Sequence, residues 1–538
     1  MTNRPRKKAV AVGTVSFVGA GPGDPELITL RAAAALETAD VVVHDSSVPA
    51  AILGRVGAGA QLIDVGLGED GQPLTHAARA KPAVDAARDG LVVVRLVAGD
   101  PGLFGGLAEE AAACAKAKIP FEIVPGVSPA TAVPSYAGLP LTSSRDRDVR
   151  VVDASATGIA WTEHARANVT LVLLHALDRI EQVAAGLIAA GRSGATPVAV
   201  IVGGTSTEQR TIASVLERVA ADVRSARLGD ISSPLVVVGE VVAMRDRLSW
   251  FETKPLFGWR VLVPRTKEQA GALSDRLRVH GAVAVEVPTI SVEPPRTPQQ
   301  MDRAIQGLVS GRYLWVAFTS VNAVRAVREK FEEYGLDARA FAGVKIAAVG
   351  DQTAAALRAF GVQPDLVPSG EQSTEGLLED WPPYDEVFDP IDRVFLPRAD
   401  IATETLSAGL VGLGWEVDDV TAYRTVRAAP PPVEIRESIK GGGFDAVVFT
   451  SSSTVRNLVG IAGKPHTSTV IACIGPQTVK TAEEHGLRVD VMAETASVAS
   501  LVEALAEFGA AMRLAAVEAG EANWRPSLRR AAARRRAR

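Results

Sequence analysis

The stretch GAGPGDPELITLR, from Gly19 to Arg31, determines the fold that we predict for the first half of the chain. It follows an apolar run at Val15–Val18, which predicts a buried strand, and it precedes Ala32–Ala39, which predicts a helix. A glycine-rich turn at the carboxyl end of a strand lets the backbone adopt positive φ and approach a ligand closely. On spacing alone the turn also suits a generic nucleotide loop, so its assignment depends on the motifs that follow.

Length and composition limit the class of protein. The 538 residues predict about three or four compact units, and a hydrophobic content of 47% is enough for large cores. No stretch approaches the roughly 18 apolar residues of a membrane helix, and the basic start MTNRPRKKAV lacks the apolar region of a secretory signal. Two distant cysteines, Cys114 and Cys473, exclude a disulfide framework and predict small core residues. We therefore expect a cytoplasmic protein without a metal site.

Positive charge is concentrated at the carboxyl end of the chain. The net charge is −5, yet residues 511–538 contain eight arginines and two glutamates, hence +6, which leaves −11 for the remainder. We interpret residues 509–538 as a disordered, solvated Arg-rich tail rather than a nucleic-acid-binding segment, because nothing aromatic-rich or folded accompanies the charge. Residues 1–13 are expected to be a disordered basic start.

Short β-rich runs alternate with helical stretches between Val15 and about Val242, which predicts an α/β domain with a largely parallel sheet. A break near Thr142–Arg150 predicts two lobes, residues 14–142 and 143–250, with a cleft between them. Residues 251–258 are polar and aromatic and are interpreted as a linker to the second half.

An internal duplication organises the second half. RVLVPR at 260–265 recurs as RVFLPR at 393–398, FTSVNAVR at 318–325 as FTSSSTVR at 449–456, and IAAVGDQT at 346–353 as IACIGPQT at 471–478. The repeat predicts two similar α/β lobes around a ligand cleft. Proline-rich hinges predict that one lobe is inserted into the other, with lobe A formed by residues 259–291 plus 428–508 and lobe B by residues 295–425.

The first half, residues 14–250, resembles the tetrapyrrole methylases, and within them uroporphyrinogen-III C-methyltransferase. Besides the first loop, the resemblance rests on VVHDSSV (42–48), RLVAGDPGLFGG (95–106), PGVSPATAVPSYAGLPLT (125–142) and SPLVVVGEVV (233–242). It implies methyl transfer from S-adenosyl-L-methionine to uroporphyrinogen III, giving precorrin-2, with Asp45 as the general base. The implied cofactor positions are Pro22, Ala98, Gly99, Asp100, Leu103, Ser128, Pro129, His175 and Gly204.

Several positions depart from the methylase pattern. Leu67 replaces a lysine assigned as proton donor, Ser46 replaces an arginine, and Val97 replaces a lysine of the loop. Loss of cationic groups weakens the binding of a carboxylate-rich substrate, unless the downstream arginines 145, 147 and 150 compensate. His175 replaces a cofactor-contacting methionine and is alternatively a structural histidine. The first half is therefore an active methyltransferase, a weakened enzyme or one with another substrate, or a non-enzymatic module that binds cofactor or tetrapyrrole.

The second half resembles uroporphyrinogen-III synthase over residues 256–508. The resemblance rests on the order of WRVLVPRTKEQAGALSDRL, the two FTS motifs, AAVGDQTAAALRAFG, VTAYRTV and CIGPQTVKTAEEHG. It implies two flavodoxin-like lobes and cyclisation of hydroxymethylbilane with inversion of ring D, without a cofactor. Tyr423 is the implied catalytic residue, whose phenol helps a hydroxyl to depart. The alternative for Tyr423 is a packing role at the hinge.

Carboxylates of the substrate need hydrogen-bond donors, and strand ends that open helices supply hydroxyls and backbone N–H groups. We therefore expect one cleft to gather donors from both lobes, with helix capping or ordinary solvent exposure as the alternative for each. The candidates are Arg265, Thr319, Ser320, Gly350, Thr353, Arg398, Thr450, Ser451, Ser452, Gly475 and Thr478.

The whole sequence thus predicts a bifunctional enzyme that fuses two consecutive steps of tetrapyrrole biosynthesis. The alternative is a synthase that carries a weakened or non-enzymatic first half. The expected partners are small-molecule tetrapyrroles, without membrane or nucleic acid, and a homodimer through the methylase half is implied by the resemblance.

Overall fold

Four five-stranded sheets organise the part of the chain that the structure describes. The structure is a computed structural model, and it describes residues 12–68, 71–226, 228, 234–265, 267–521 and 524–530, without the side chains of residues 265 and 267–270. The chain divides into two compact units. The first comprises Met1–Trp259, Leu277–Val283 and Gly509–Ala515, and the second Arg260–Arg276, Ala284–Phe508 and Ala516–Arg538.

The first unit alternates strands with short helices. Its strands are β1 Thr14–Gly19, β2 Val41–His44, β3 Gln61–Asp64, β4 Val92–Val97, β5 Phe121–Val124, β6 Asp148–Asp153, β7 Val169–Leu174, β8 Pro197–Val202, β9 Arg210–Val215 and β10 Leu235–Val238. Its helices are α1 Leu30–Thr38, α2 Ala50–Leu53, α3 His76–Arg88, α4 Leu107–Lys116, α5 Pro129–Tyr136, α6 Trp161–His164, α7 Ile180–Ala189, α8 Val219–Ala226 and α9 Arg245–Leu248. Three 3-10 turns join them, at Pro25–Leu27, Leu177–Arg179 and Glu240–Met244.

The two sheets of this unit differ in strand direction. The first has the order β3-β2-β4-β1-β5 with every pair parallel. The second has the order β6-β7-β10-β8-β9, in which β6 and β7 are parallel and the other pairs are antiparallel. The prediction of a largely parallel sheet is confirmed for the first and wrong for the second. Only seven residues, 203–209, connect β8 to β9, and so short a connection joins antiparallel neighbours.

Burial of apolar runs explains the first sheet. Val15, Val18 and the run Val41–Val43 are almost fully buried, as expected for parallel strands that helices cover on both faces. Helix α3 contributes Ala80, Ala83, Val84 and Ala87 to the covering layer. The predicted core positions of both cysteines are confirmed, since Cys114 and Cys473 are free and buried.

The remaining elements belong mostly to the second unit. The strands are β11 Arg260–Arg265, β12 Val283–Pro288, β13 Ile290–Glu293, β14 Trp315–Phe318, β15 Lys345–Ala348, β16 Arg393–Ala399, β17 Glu416–Arg427, β18 Ala446–Phe449, β19 Val470–Cys473 and β20 Val491–Met492. The helices are α10 Lys267–Val279, α11 Pro298–Val309, α12 Val321–Glu333, α13 Asp351–Ala359, α14 Thr374–Glu379, α15 Thr405–Gly412, α16 Val433–Gly441, α17 Ser452–Ala462, α18 Pro476–Glu484 and α19 Val498–Glu518, with a 3-10 turn at Ala338–Phe341.

The duplicated motifs occupy equivalent places in two sheets. One sheet has the order β12-β11-β18-β19-β20, which is 2-1-3-4-5 in flavodoxin-like numbering. The other has the order β13-β17-β16-β14-β15. The run β16-β14-β15 repeats β11-β18-β19. In each lobe the strand with the RVLVPR or RVFLPR motif (the RV-PR strand) lies beside the strand that leads into an FTS motif (the FTS strand). The FTS strand in turn lies beside the strand that precedes Gly350 or Gly475. The first RV-PR strand pairs with the second FTS strand, Val261 opposite Ala446.

The carboxyl-terminal segment differs from the prediction of a disordered tail from residue 509. Helix α19 continues to Glu518 and buries Leu501, Leu505 and Ala516. Further on, the Ser527 N–H donates to Asp445 Oδ1 at 2.9 Å. The abundance of arginine obscured the apolar periodicity that holds this helix. The expectation for residues 531–538, and that for residues 1–11 of the basic start, fall outside the described residues.

The segment interpreted as a linker, residues 251–258, packs within the first unit. Phe251 and Leu256 are buried, and the Glu252 carboxylate accepts hydrogen bonds from Arg245 and Gln209. These contacts give the connection a fixed path over the unit that precedes it.

Candidate functional sites

A cavity of about 220 Å³ opens at the carboxyl ends of β1, β2 and β4 in the first unit. Loops that follow these strands form one side, and α5 with the ends of β7 and β10 forms the other. Most of the predicted methylase residues line it, namely Pro22, Asp45, Ala98, Gly99, Leu103, Pro129 and His175.

The glycine-rich turn is held against the loop after β4. Gly21 donates its N–H to the Gly99 carbonyl at 3.1 Å, and Gly99 donates back to Gly21 at 2.9 Å. Gly21 and Gly23 have φ of +80° and +142°, which confirms the predicted positive φ at these two glycines. The same prediction is wrong for Gly19, whose φ is not positive. Gly19 instead permits a close backbone approach, because a Cβ there would lie 2.5 Å from the Gly126 Cα.

Three predicted cofactor residues lie behind the lining and shape the loops. The Asp100 carboxylate accepts hydrogen bonds from the N–H groups of Gly102 and Gly126, at 2.7 and 2.9 Å. Ser128 caps α5, its Oγ accepting from the Ala130 N–H at 3.2 Å. A Cβ at Gly204 would lie 2.5 Å from the Val133 side chain. Direct cofactor contact by Asp100, Ser128 and Gly204 therefore stays a prediction.

Asp45 is fixed by a buried arginine that sequence reasoning did not single out. Arg95 is 0% exposed and donates from Nη2 to Asp45 Oδ1 at 2.7 Å, while the Ala98 N–H donates to Asp45 Oδ2 at 3.2 Å. Arg95 also donates to both carboxylate oxygens of Glu110, from Nε at 2.7 Å and Nη2 at 3.0 Å. One guanidinium thus holds two carboxylates, and only that of Asp45 reaches the cavity lining.

The charge balance of this group keeps Arg95 ionised. Burial disfavours the cation, but the hydrogen bond to Glu110 and the charges of Asp45 and Glu110 outweigh it and raise the pKa of Arg95 above its usual value. The sequence contains a signal for the buried pairing of Arg95. An arginine in the apolar strand VVVRLV requires a buried partner.

The positions that depart from the methylase pattern are neutral and fill other roles. Leu67 is 58% exposed, and the Ser46 hydroxyl donates to Asp64 Oδ1 at 2.7 Å. Val97 is buried at the end of β4. The Gly66 N–H and the Ser46 hydroxyl lower the pKa of Asp64, because both bond its charged form.

His175 lies at the cavity rim in a strained backbone conformation. Its φ is +52°, and its Nδ1 lies 3.0 Å from Asp153 Oδ1. The side chain is well exposed and the residue lines the cavity. The contact with Asp153 is compatible with a structural histidine, the alternative considered from sequence, and cofactor binding by His175 stays a prediction.

A second cavity, of about 450 Å³, lies at the carboxyl ends of β14 and β15 in the second unit. Its lining includes four predicted substrate residues, Thr319, Ser320, Gly350 and Thr353. Ser320 caps α12, with its Oγ accepting from the Ala323 N–H at 3.1 Å, and Gly350 opens α13. Two helix N-termini therefore face one polar recess.

Tyr423 connects the hinge strand β17 to this recess. It is 7% exposed, and its hydroxyl lies 2.9 Å from Ser320 Oγ. The predicted phenol and a predicted substrate residue are thus in direct contact, although the sequence places them 103 residues apart.

The equivalent residues of the other lobe follow β18 and β19. Thr450 and Ser451 come directly after β18, and Ser451 caps α17, its Oγ accepting from the Thr454 N–H at 3.3 Å. Ser452 donates to the Gln477 carbonyl at 3.1 Å, next to the buried Thr478. Gly475 opens α18. Convergence of this set with the second cavity stays a prediction.

Of the two candidate substrate-binding arginines, Arg265 and Arg398, the structure describes only the side chain of Arg398. Arg398 is engaged within its own lobe, paired with Asp419 and donating to the Thr403 carbonyl at 2.6 Å. Its guanidinium is thus already occupied, and substrate binding by Arg398 stays a prediction. The side chain of Arg265 lies outside the described part of the chain.

Comparisons with known proteins match each half of the chain. A model of the tetrapyrrole (corrin/porphyrin) methylases matches residues 14–220, and a model of uroporphyrinogen-III synthase HemD matches residues 271–503. The porphyrin biosynthesis protein HemD of Ruminiclostridium josui is 33% identical over 512 residues, which cover 92% of this chain and 98% of that protein. The chain belongs to this family of fused tetrapyrrole methylases and uroporphyrinogen-III synthases.

Further relatives match parts of the chain. Uroporphyrinogen-III C-methyltransferase of Bacillus subtilis is 33% identical over 370 residues, covering 66% of this chain and 74% of that protein. A solved uroporphyrin III C-methyl transferase from Thermus thermophilus is 31% identical, covering 43% of this chain and 99% of that one with a TM-score of 0.37. The predicted fusion of two enzyme families is confirmed and is favoured over a synthase with a non-enzymatic first half. Within the described residues, no helix of the fusion has the length and apolarity to cross a bilayer.

Substitution of Arg95 tests whether its ion pairs with Asp45 and Glu110 stabilise the methylase half. We expect Arg95→Met to destabilise the protein by roughly 3–5 kcal/mol, because Asp45 and Glu110 are left as uncompensated neighbouring carboxylates. Urea unfolding monitors the loss, and a second substitution, Glu110→Leu, should recover part of it. Arg218→Met, which breaks an exposed pair with Asp222, is the control. Equal losses in Arg95→Met and Arg218→Met would contradict the assignment.

Proposed function

We propose that the chain catalyses two consecutive reactions of tetrapyrrole biosynthesis. The synthase half closes hydroxymethylbilane into uroporphyrinogen III with inversion of ring D, and the methylase half methylates that product to precorrin-2. The observation that carries the proposal for the synthase half is the contact between Tyr423 and Ser320 at the edge of a polar recess. The cavity beside Asp45 supports the proposal for the methylase half.

The hydrogen-bond pattern around Tyr423 suits assistance to a departing hydroxyl. Ser320 Oγ already accepts from the Ala323 N–H, and its own proton is available for the phenol oxygen of Tyr423. The phenol proton is then directed at the substrate, where it bonds the hydroxyl that leaves as the azafulvene forms. The N-terminus of α12 adds a favourable potential for the oxygen at which negative charge develops.

Positioning supplies the rest of the synthase chemistry. The open-chain substrate must bend until the inverted closure outpaces the simple closure that occurs unaided, so binding of its carboxylates is itself catalytic. Thr319, Ser320 and the N–H groups that open α12 and α13 provide donors at one recess. The hydroxyls after β18 provide a second set in the other lobe.

S-adenosyl-L-methionine suits the donor set of the first cavity. Backbone groups of Gly21–Gly23 and Ala98–Gly99 line it together with apolar side chains, and glycines bring the backbone close. When bound, this cofactor supplies an electrophilic methyl group. Asp45 faces the same space, and its carboxylate keeps lone pairs beyond those used by Arg95 and Ala98, so it can take the proton released from the methylated pyrrole carbon.

The cytoplasmic location and the homodimer expected from the sequence belong to the same proposal. Cys114 and Cys473 are free and buried, and unpaired thiols are typical of a reducing compartment. No cofactor is proposed for the synthase half.

One assay tests both activities. Purified full-length protein given hydroxymethylbilane alone should yield uroporphyrinogen III, and addition of S-adenosyl-L-methionine should convert it to precorrin-2. Chromatographic identification of the macrocycle isomers is the measurement. Formation of only the uninverted isomer would contradict the synthase assignment, and unmethylated product in the presence of the cofactor would contradict that of the methylase.

Tyr423→Phe tests the synthase mechanism. We expect about a 100- to 10,000-fold fall in the rate of inverted ring closure, the usual range for loss of a proton-donating group, with the fold retained. Tyr313→Phe is the matched control, since it removes a buried phenol that donates to Asp418 in the same lobe. Wild-type turnover of Tyr423→Phe would exclude the phenol from the mechanism.

Asp45→Asn tests the methylase base. The amide keeps the size of the side chain but cannot accept a proton, so we expect methylation to fall by about 100-fold or more while inverted ring closure stays unchanged. The two activities of one preparation act as each other's control. Methylation at the wild-type rate would show that another group takes the proton.

A further inference from the structure

Arg79 is a cation of the methylase cavity that sequence reasoning did not single out. It is the one lysine or arginine among the described residues that line the cavity, where Asp45 is the one carboxylate. The arginines considered as compensation for the missing cations, at positions 145, 147 and 150, are outside this lining. A carboxylate-rich substrate that enters the cavity therefore meets a single guanidinium.

The orientation of Arg79 leaves most of its donors available. Its Nε donates to the Leu74 carbonyl at 3.0 Å, and within the described residues it forms no ion pair. The buried Arg95 differs in its pairing with carboxylates. Arg95 is paired with Asp45 and Glu110. The fixed Nε leaves both terminal NH₂ groups of Arg79 for a ligand, in the planar arrangement that matches a carboxylate.

The position of Arg79 on α3 is rigid. Thr75 caps the helix, its Oγ accepting from the Ala78 N–H at 3.3 Å, and Ala80 next to Arg79 is buried. Three further small residues of α3, Ala83, Val84 and Ala87, fix the helix on the sheet. A binding group on a packed helix is held in position more precisely than one on a loop.

We propose that Arg79 binds an acidic side chain of the tetrapyrrole and sets the preference of the methylase half for a polycarboxylate substrate. The inference rests on the proposed function of this half and adds the group that recognises the substrate. Leu67, Ser46 and Val97 are neutral where the methylase pattern has cations, so this chain places the binding charge on a different element. Arg79 acts in binding, whereas Asp45 handles the proton.

Arg79→Gln in the full-length protein tests the proposal by methylation kinetics. We expect KM for uroporphyrinogen III to rise about tenfold or more, as for loss of a charged hydrogen-bonded pair, with kcat within about twofold. The calorimetric affinity for S-adenosylhomocysteine should stay unchanged. Arg79→Lys should recover part of the loss, since charge is kept but the planar pair is not. Arg88→Gln, on the same helix but outside the cavity lining, should behave as wild type.

Three results would overturn the proposal. An unchanged KM in Arg79→Gln would show that Arg79 does not touch the substrate. A parallel loss of S-adenosylhomocysteine affinity would assign Arg79 to the cofactor instead. The third result applies if the wild type methylates nothing, so that the proposed function of this half fails. The affinity for uroporphyrin III is then measured by direct titration, and equal affinities of Arg79→Gln, Arg88→Gln and wild type would overturn the proposal for Arg79.

Discussion

The carboxyl ends of neighbouring parallel strands meet at one edge of a sheet, and this constraint places nearly every candidate residue of the protein. Asp45 follows β2, Ala98 follows β4, and Thr319 follows β14. Antiparallel strands would send successive ends to opposite edges and scatter these groups. The sheets differ accordingly. The first sheet, parallel throughout, carries the side of the methylase cavity that includes Asp45, whereas the largely antiparallel second sheet contributes the residues opposite it.

The two halves differ in the charged and polar groups that their strand ends present. In the methylase half a buried guanidinium, Arg95, keeps two carboxylates in place, and only Asp45 reaches the cavity. In the synthase half the polar lining of the cavity, among the described residues, consists of hydroxyls, amides and helix N-termini with one carboxylate, that of Asp351, and Arg398 is paired with Asp419. The lining of the first cavity therefore holds few cations, whereas that of the second offers mainly neutral hydrogen-bond donors.

The sequence predicted the order of elements and most strand-end residues because glycine-rich turns and apolar runs are local signals. It predicted both positive-φ glycines, Gly21 and Gly23, for the same reason. It could not predict that β10 pairs antiparallel with β7 and β8, since direction depends on partners distant in the chain. Arg79 and Glu110 were missed because their roles arise only when α3 and α4 lie beside β4. The helical course of residues 509–518 was hidden by the arginines that follow it.

Interleaving of the two synthase lobes has a consequence for biosynthesis. Strand β11 finds its partner β18 only after about 180 further residues have been made, as the bond from the Arg260 N–H to Asp445 across 185 positions shows. The contiguous lobe, with β14 to β17, is complete earlier. While the nascent chain leaves the ribosome, β11 therefore exposes an open apolar edge until β18 has been made, and during this interval the edge needs protection by chaperones.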